Sequence, residues 1–399
     1  MPAPALPFGL TAEALAAAMA EPDPDGLAAA SRLRAAYGPE QAAGALHQAS
    51  LRRRARTKFG DAAAGLFFTR EGLEQATRPV VADHHAARFR AAGVRRVVDL
   101  GCGIGADALA FVRAGLEVVA VESDPATAAV ARANLGVRPD GARPRMASAE
   151  VICADAEEVA PALLGPGVAA FCDPARRNAR GRLWQVSDFT PGWDFVTGLL
   201  AGDRVAGVKL GPALPHALVP PGVEAEWVSA GTDTVEVALW AGSGAQAGVD
   251  AALLLPAERL AVARPTAARP HPTLPVRPVG RYLYEPDGAV IRARGVAVLG
   301  ERLGAWSIDP QIAYLSGDEL VPTPFAVAFE VLEVLPYDRK ALRRWLRDHS
   351  VGTLEIKLRG LDVDPAELRR RLGSHGTASA TVVLSRTPSG AVALVVKRR

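Results

Sequence analysis

Nine residues, Val97–Gly105 (VVDLGCGIG), constrain this chain more than any others: an apolar run ends on Asp99 and passes straight into Gly101, Gly103 and Gly105. Glycine adopts positive φ at little cost and lets the backbone approach a ligand where a Cβ would block it. The pattern therefore predicts a strand, a tight turn and a helix whose N-terminal amides face a ligand. Two ligand classes use such a turn. Gly101, Gly103 and Ala106 satisfy the dinucleotide spacing G-x-G-x-x-G/A. Asp99, however, lies two residues before the first glycine, and a carboxylate there suits a cationic amino-acid tail and repels phosphate.

The residues that follow decide between them. Ala106 to Ala114 reads as a helix ended by Gly115, and LEVVAVESDP as a second strand ending on Glu122 and Ser123. Glu122 lies 23 residues after Asp99, the separation at which an acid reaches ribose hydroxyls. VICADAEEV places Asp155 and Ala156 after a third strand, where an acid meets an adenine amino group, and AAFCDPARR ends a fourth on Asp173 and Pro174. In an open parallel sheet these four acids share one crevice at the C-terminal strand ends. A short strand then ends at Lys209, a weaker candidate for an acceptor contact, and EAEWVSAG with TVEVALWAG reads as an antiparallel hairpin. A dinucleotide dehydrogenase ends its sheet on a parallel strand, so the acids and the hairpin together select S-adenosylmethionine.

With 399 residues, 49% of them hydrophobic, the chain can build two or three cores. No run of eighteen apolar residues occurs and the first residues lack a signal-peptide pattern, so a cytoplasmic location is expected. Cys102, Cys153 and Cys172 show no zinc-ligand spacing and read as small buried residues in a reducing compartment. The net charge of +3 is uneven: Pro336–Arg399 carries 14 Lys and Arg against 6 Asp and Glu, a surplus of +8 that leaves −5 to the rest. A basic module on an acidic body is the charge pattern of a polyanion-binding appendage.

Four regions follow. Residues 1–91 read as helical, with segments at 11–20, 26–36, 39–56 and 71–91. They include a basic run, Arg52, Arg53, Arg54, Arg56 and Lys58, that is either a solvated helix face or a phosphate contact. Residues 92–255 hold the α/β alternation. Residues 256–278, rich in proline and arginine, read as a linker, because proline denies helix continuation and ladder donors. Residues 279–399 read as α+β. The final part has the order βαβαββ: FEVLEVLP, a helix opened by Asp338, TLEIKLRG, a helix capped by Asp364 with Pro365 behind it, and a hairpin turned at Pro388, Ser389 and Gly390. Arg343, Arg344, Arg347, Lys357, Arg359, Arg369, Arg370 and Arg371 are its expected exposed cations.

VVDLGCGIGADALAF, AVESDP, ADAEEV and CDPARR resemble the motifs of class I S-adenosylmethionine-dependent methyltransferases. With FTREGLEQATRPVVADHHA ahead of them and LEIKLRG in the C-terminal module, the order resembles bacterial methyltransferases carrying a THUMP-like domain. The segment around Phe68, Thr69 and Thr77 is similar in placement to the helical extension of trimethylguanosine-synthase-type RNA methyltransferases. The fold implied is α/β: a Rossmann-like seven-stranded class I methyltransferase sheet, preceded by a helical region and followed by a THUMP-like α+β domain. The resemblance implies S-adenosylmethionine as cofactor, bound by Asp99, Gly101, Cys102, Gly103, Gly105, Glu122, Ser123, Asp155 and Ala156. It also implies RNA as substrate, gripped by the basic C-terminal domain and the N-terminal arginine run.

Asp173 and Pro174 match the start of the D-P-P-[YFW] motif of enzymes that methylate exocyclic amines, while Ala175 and Arg176 replace its second proline and its aromatic. Asp173, Pro174 and Arg176 are thus the expected catalytic set, with Arg176, Trp184 or Trp193 available to stack on a base. No metal is implied. Two rival readings stand beside this one: a methyltransferase of small molecules or proteins, and a non-catalytic RNA-binding protein with a vestigial cofactor pocket.

Overall fold

The computed structural model describes residues 6–136, 149–176, 189–373 and 376–399. The chain divides into two compact units, Met1–Glu224 with Glu236–Ala247, and Ala225–Val235 with Gly248–Arg399.

The first unit opens with helices α1 (Ala12–Ala20), α2 (Leu27–Tyr37), α3 (Pro39–Phe59), α4 (Arg70–Gln75) and α5 (Pro79–Ala91). The side chains of Thr11 and Thr69 accept from the first turns of α1 and α4, satisfying amides that have no partner within the helix. The segment expected as one helix over 71–91 is two. Proline at the start of α5 disfavours helical backbone in the residue before it, and Ala76 and Arg78 are extended.

Strands and helices then alternate: β1 (Arg96–Leu100), α6 (Ala106–Arg113), β2 (Glu117–Glu122), α7 (Pro125–Gly136), β3 (Ala149–Cys153), α8 (Ala156–Leu163) and β4 (Val168–Cys172). The two-residue strands β5 (Ala175–Arg176) and β6 (Phe189–Thr190) pair with each other. After them come α9 (Trp193–Leu199) and β7 (Ala206–Leu210), then the hairpin of β8 (Glu224–Ala230) and β9 (Asp233–Ala241). The order in this unit is β3-β2-β1-β4-β7-β9, parallel except for β9 against β7. These are six of the seven strands expected, and all of β8 but Glu224 belongs to the second unit.

Phe89, Phe111, Phe171 and Trp240 lock α5 and α6 onto one face of the sheet, with edge-on ring centroids 5.3–6.2 Å apart. A second cluster joins the helical region to the glycine turn. Ile104, inside the turn, is buried with Leu51, Phe59, Phe67, Phe68, Leu73 and Val130. Asn134 on α7 pins it there by donating to the carbonyls of Ile104 at 2.9 Å and Phe67 at 3.0 Å.

In the second unit β10 (Val249–Leu255) pairs in parallel with β8, and β11 (Glu258–Ala263) folds back on β10. The expected linker 256–278 thus begins with a strand. Leu260 and Val262 alternate with outward residues, and this period of two outweighs the surrounding prolines. Beyond lie β12 (Tyr282–Pro286), α10 (Gly288–Arg292), α11 (Val296–Leu303), β13 (Trp306–Ser307), β14 (Leu315–Gly317), β15 (Ala326–Pro336), α12 (Arg339–Asp348), β16 (Val351–Arg359), α13 (Pro365–Leu372), β17 (Ala378–Thr387) and β18 (Gly390–Arg398). Their sheet runs β13-β14-β12-β15-β18-β17-β16. Leu342 and Leu346 of α12 and Leu368 and Leu372 of α13 pack with Val382, Leu384 and Val395. The two caps expected at Asp338 and Asp364 are in place. Among the described residues no helix is long and apolar enough to cross a membrane.

Candidate active site

Apolar side chains carry β1, β2, β3 and β4 into the sheet, so Asp99 and Glu122 near the last rungs of β1 and β2, and Asp155 and Asp173 just past β3 and β4, come to the same edge. Gly101, Gly103 and Gly105 all have positive φ, and Gly105 opens α6 in the left-handed conformation. The amides of Gly101 and Cys102 each donate to the Val121 carbonyl at 2.9 Å, closing the turn on β2. A Cβ on Gly101 would stand 3.2 Å from the Asp173 carbonyl oxygen. The glycine turn and the Asp173–Pro174 segment are therefore in contact.

Asp99 is buried, and neither carboxylate oxygen has a hydrogen-bond partner among the described residues. Burial, reinforced by the charges of Asp107 and Asp173, raises its carboxyl well above the usual range. Such a group costs free energy unless a cation or donor meets it. The orphan carboxylate suits the cationic amine of S-adenosylmethionine. Glu122 is half-buried and accepts from Gly103 N at 3.0 Å and Asp124 N at 2.9 Å, so it also braces the turn. Asp155 is exposed and caps α8, accepting from Glu157 N at 2.8 Å, and Ala156 is buried behind it. Ser123 is exposed and accepts from the Cys153 thiol through its carbonyl. Cys102 and Cys172 are buried as expected, whereas Cys153 is exposed because it ends β3 at the sheet edge.

Asp173 is bonded to the Lys209 ammonium, and their side chains are 34% and 14% exposed. Burial raises the Asp173 carboxyl, Lys209 opposes that shift, and Asp107 and Glu236 add to it. Burial alone would lower Lys209, but Asp173, Asp107 and Glu236 together raise it. Lys209 thus joins the site as a partner of Asp173. Pro174 is buried beside it. Arg176 gives its backbone to β5; its side chain, like Trp184, lies outside the described residues. Trp193 opens α9 with its ring 5.4 Å from Phe189.

Beneath these residues lies a buried polar chain that sequence reasoning missed. Thr77 donates to Asp107 at 2.5 Å, and His85 bridges Asp107 at 2.8 Å and Glu236 at 2.7 Å. The available signal was the face of α5: Val81, Ala82, Ala86 and Phe89 are buried, and His85 shares their helical spacing.

Within the arginine run Arg54 and Arg56 are exposed, Arg56 beside Asp61 at 3.3 Å, while three other cations engage the helical region. Arg52 is buried, donates to Leu66 O and stacks on Phe67, and burial lowers its guanidinium to about 10. Arg53 donates to the carbonyls of Glu21 and Pro22, and Lys58 to those of Leu73 and Glu74. These cations hold the helical region together. Burial, then the charges of Lys209 and Arg78, lower Lys58 to about 8. In the second unit Arg343, Arg344, Arg347, Arg369, Arg370 and Arg371 are exposed. Lys357 and Arg359, expected among them, are half-buried and paired with Glu285 at 2.8 and 3.6 Å, because β16 turns them toward the sheet.

Comparison with known proteins agrees with this geometry. A crystal structure described as a methyltransferase from Porphyromonas gingivalis W83 superposes with a TM-score of 0.77 at 22% identity, covering 97% of this chain and 98% of its own, which establishes the shared fold. Residues 326–398 match a THUMP domain-like family, and residues 11–55 match a domain of unknown function. Two Mycobacterium tuberculosis proteins, from strains CDC 1551 and H37Rv, bear the name uncharacterized S-adenosylmethionine-dependent methyltransferase. Each is 34% identical over 373 residues, spanning 91% of this chain and 98% of its own length. The chain belongs to this family of S-adenosylmethionine-dependent methyltransferases, and S-adenosylmethionine is its cofactor.

Proposed function

We propose that this methyltransferase acts on an exocyclic amine of a nucleotide in RNA. The contact between Gly101 and Asp173 carries the reading, because it brings the acceptor-side acid against the cofactor turn. Asp99 would receive the cofactor's ammonium and Glu122 its ribose hydroxyls. Asp155 would meet the adenine amine, with Gly101, Cys102, Gly103, Gly105, Ser123 and Ala156 forming the wall. Bound there, S-adenosylmethionine supplies a methyl group on a sulfonium that departs as a neutral thioether.

The protein's own contribution is alignment. Asp173 and the Pro174 carbonyl accept hydrogen bonds from the amine and aim its lone pair, and Lys209, paired with the carboxylate, orients it for that task. No strong base is needed, since an amine sheds its proton after attack. Near-attack geometry contributes on the order of 7–11 kcal/mol. Arg176 stands where the related motif has an aromatic, and a guanidinium plane stacks on a base as a ring does.

RNA is favoured by the THUMP domain-like match and by the exposed arginines of α12 and α13 in the same segment, of which Arg343, Arg369 and Arg371 also bond to Arg371 O, Leu354 O and Glu367 within the domain. Transfer of labelled methyl groups from S-adenosylmethionine to bulk RNA of a strain lacking the gene tests the reading. Incorporation is expected, with RNA binding weakening steeply as salt rises. Absence of incorporation, or binding indifferent to salt, would overturn it.

A further inference from the structure

The chain Thr77–Asp107–His85–Glu236 is fully enclosed and draws on four separate segments: the residues before α5, α6, α5 itself and β9. A carboxylate only accepts hydrogen bonds, so two carboxylates on the two ring nitrogens of His85 are both satisfied when each nitrogen carries a proton. His85 is therefore a built-in cation between two acids. Burial opposes this charge, but Glu236 and Asp107 outweigh it and raise the imidazole to about 10.

The same acids neighbour the active-site pair: Lys209 pairs with Ala238 across β7 and β9, so Glu236, two residues earlier on β9, shares its sheet face, and Asp107 and Glu236 both favour the charged form of Lys209 and disfavour that of Asp173. Lys209 thus has three anionic claimants, of which it touches Asp173. A buried charge left uncompensated seeks the nearest counter-charge. We propose that His85 is a positioning residue for methyl transfer: by neutralising Asp107 and Glu236 from below, it leaves Lys209 committed to Asp173 at the crevice. Phe171, two residues before Asp173, packs on the His85 ring at 5.0 Å and keeps the imidazole under that strand end. The proposal rests on Asp173 and Lys209 serving the reaction as described above.

The charge logic provides the test. In His85→Gln an amide replaces the cation, Asp107 and Glu236 lose their compensation, and Lys209 is drawn away from Asp173. In the double variant His85→Gln/Glu236→Gln one carboxylate leaves with the cation, and the balance returns. Coupling of Asp173 to glycine ethyl ester by a carbodiimide, read by peptide mass spectrometry, reports directly on whether Lys209 covers it. Labelling is expected to rise several-fold in His85→Gln and to return toward the wild-type level in the double variant. With bulk RNA from a strain lacking the gene as acceptor, kcat is expected to fall about tenfold or more in the single variant, misplacement by about 1 Å costing up to about 100-fold. The KM for S-adenosylmethionine should stay within about twofold, and the double variant should recover most of the loss.

Equal labelling in all three proteins, or a double variant at least as impaired as the single one, would reduce His85 to a packing role and overturn the proposal. If the wild type itself methylates no RNA, the proposed substrate falls, and the labelling series still decides the role of His85.

Discussion

Lys209, near the end of β7, donates to the carboxylate of Asp173, which follows β4, so two neighbouring parallel strands present one ion pair at the crevice. The pair fixes where the acid points. Lys209→Ala is expected to lower methyl-transfer kcat by about 10- to 100-fold, as for other small displacements of an aligning group. The dissociation constant of S-adenosylmethionine should be little changed. Calorimetric titration with the cofactor alongside single-turnover kinetics separates the two effects.

Asp99 offers two predictions of opposite sign. Its oxygens have no partner among the described residues, so Asp99→Asn should raise the melting temperature of the cofactor-free protein. The same change removes the acceptor for a cationic amine. A hydrogen bond to a charged group contributes about 1.5–3 kcal/mol, and its loss weakens cofactor binding by about 10- to 150-fold. A carboxyl raised by burial regains its charge when the amine arrives. Binding to the wild type should therefore release protons, seen as a buffer-dependent binding enthalpy that the variant loses.

His85 makes stability depend on pH. Its folded-state value of about 10 lies above the ordinary 6.5, so the stabilisation is complete below about 6.5 and is lost as pH rises through about 10. Asp107 on α6 and Glu236 on β9 are the acids bonded to it, and the ring of His84 lies 6.2 Å away. The difference in melting temperature between wild type and His85→Gln should be largest near pH 6 and shrink toward pH 10. A difference that is constant over this range would contradict the ionic bridge. His85→Ala, which leaves two buried carboxylates unpaired, should cost about 3–5 kcal/mol.

Gly207 on β7 faces the ring of Trp240, and a Cβ there would come within 2.6 Å of it. Gly207→Ala is expected to destabilise the protein by about 1–3 kcal/mol, the usual cost of overpacking a core. Trp240→Phe should relieve part of that cost, and a double-mutant cycle in urea measures the coupling.

Asp99, Glu122, Asp155 and Asp173 were legible because each directly ends or follows an apolar run, where local pattern alone places it at a strand end. The caps at Asp338 and Asp364 were legible for the same local reason. The His85 bridge was not: its contacts to Asp107 and Glu236 span 22 and 151 residues. Asp107 in a first helical turn reads equally well as a solvated acid favoured by the helix dipole. Composition misled in two places. The prolines after Leu255 concealed β11, which depends on pairing with β10. The arginine run is a charged face only in part: Arg54 and Arg56 are exposed, whereas Arg52, Arg53 and Lys58 donate to backbone carbonyls of the helical region. Charge counted along a chain does not reveal which cations are already committed.

If Asp173 aligns an amine of RNA, methylation of that amine depends on its carboxylate. Nucleoside mass spectrometry tests it most directly, on RNA from a strain lacking the gene, complemented either with the wild type or with Asp173→Ala. One methylated nucleoside is expected to disappear on deletion, return with the wild type and stay absent with the variant. A nucleoside profile identical in all strains, or full restoration by Asp173→Ala, would contradict it.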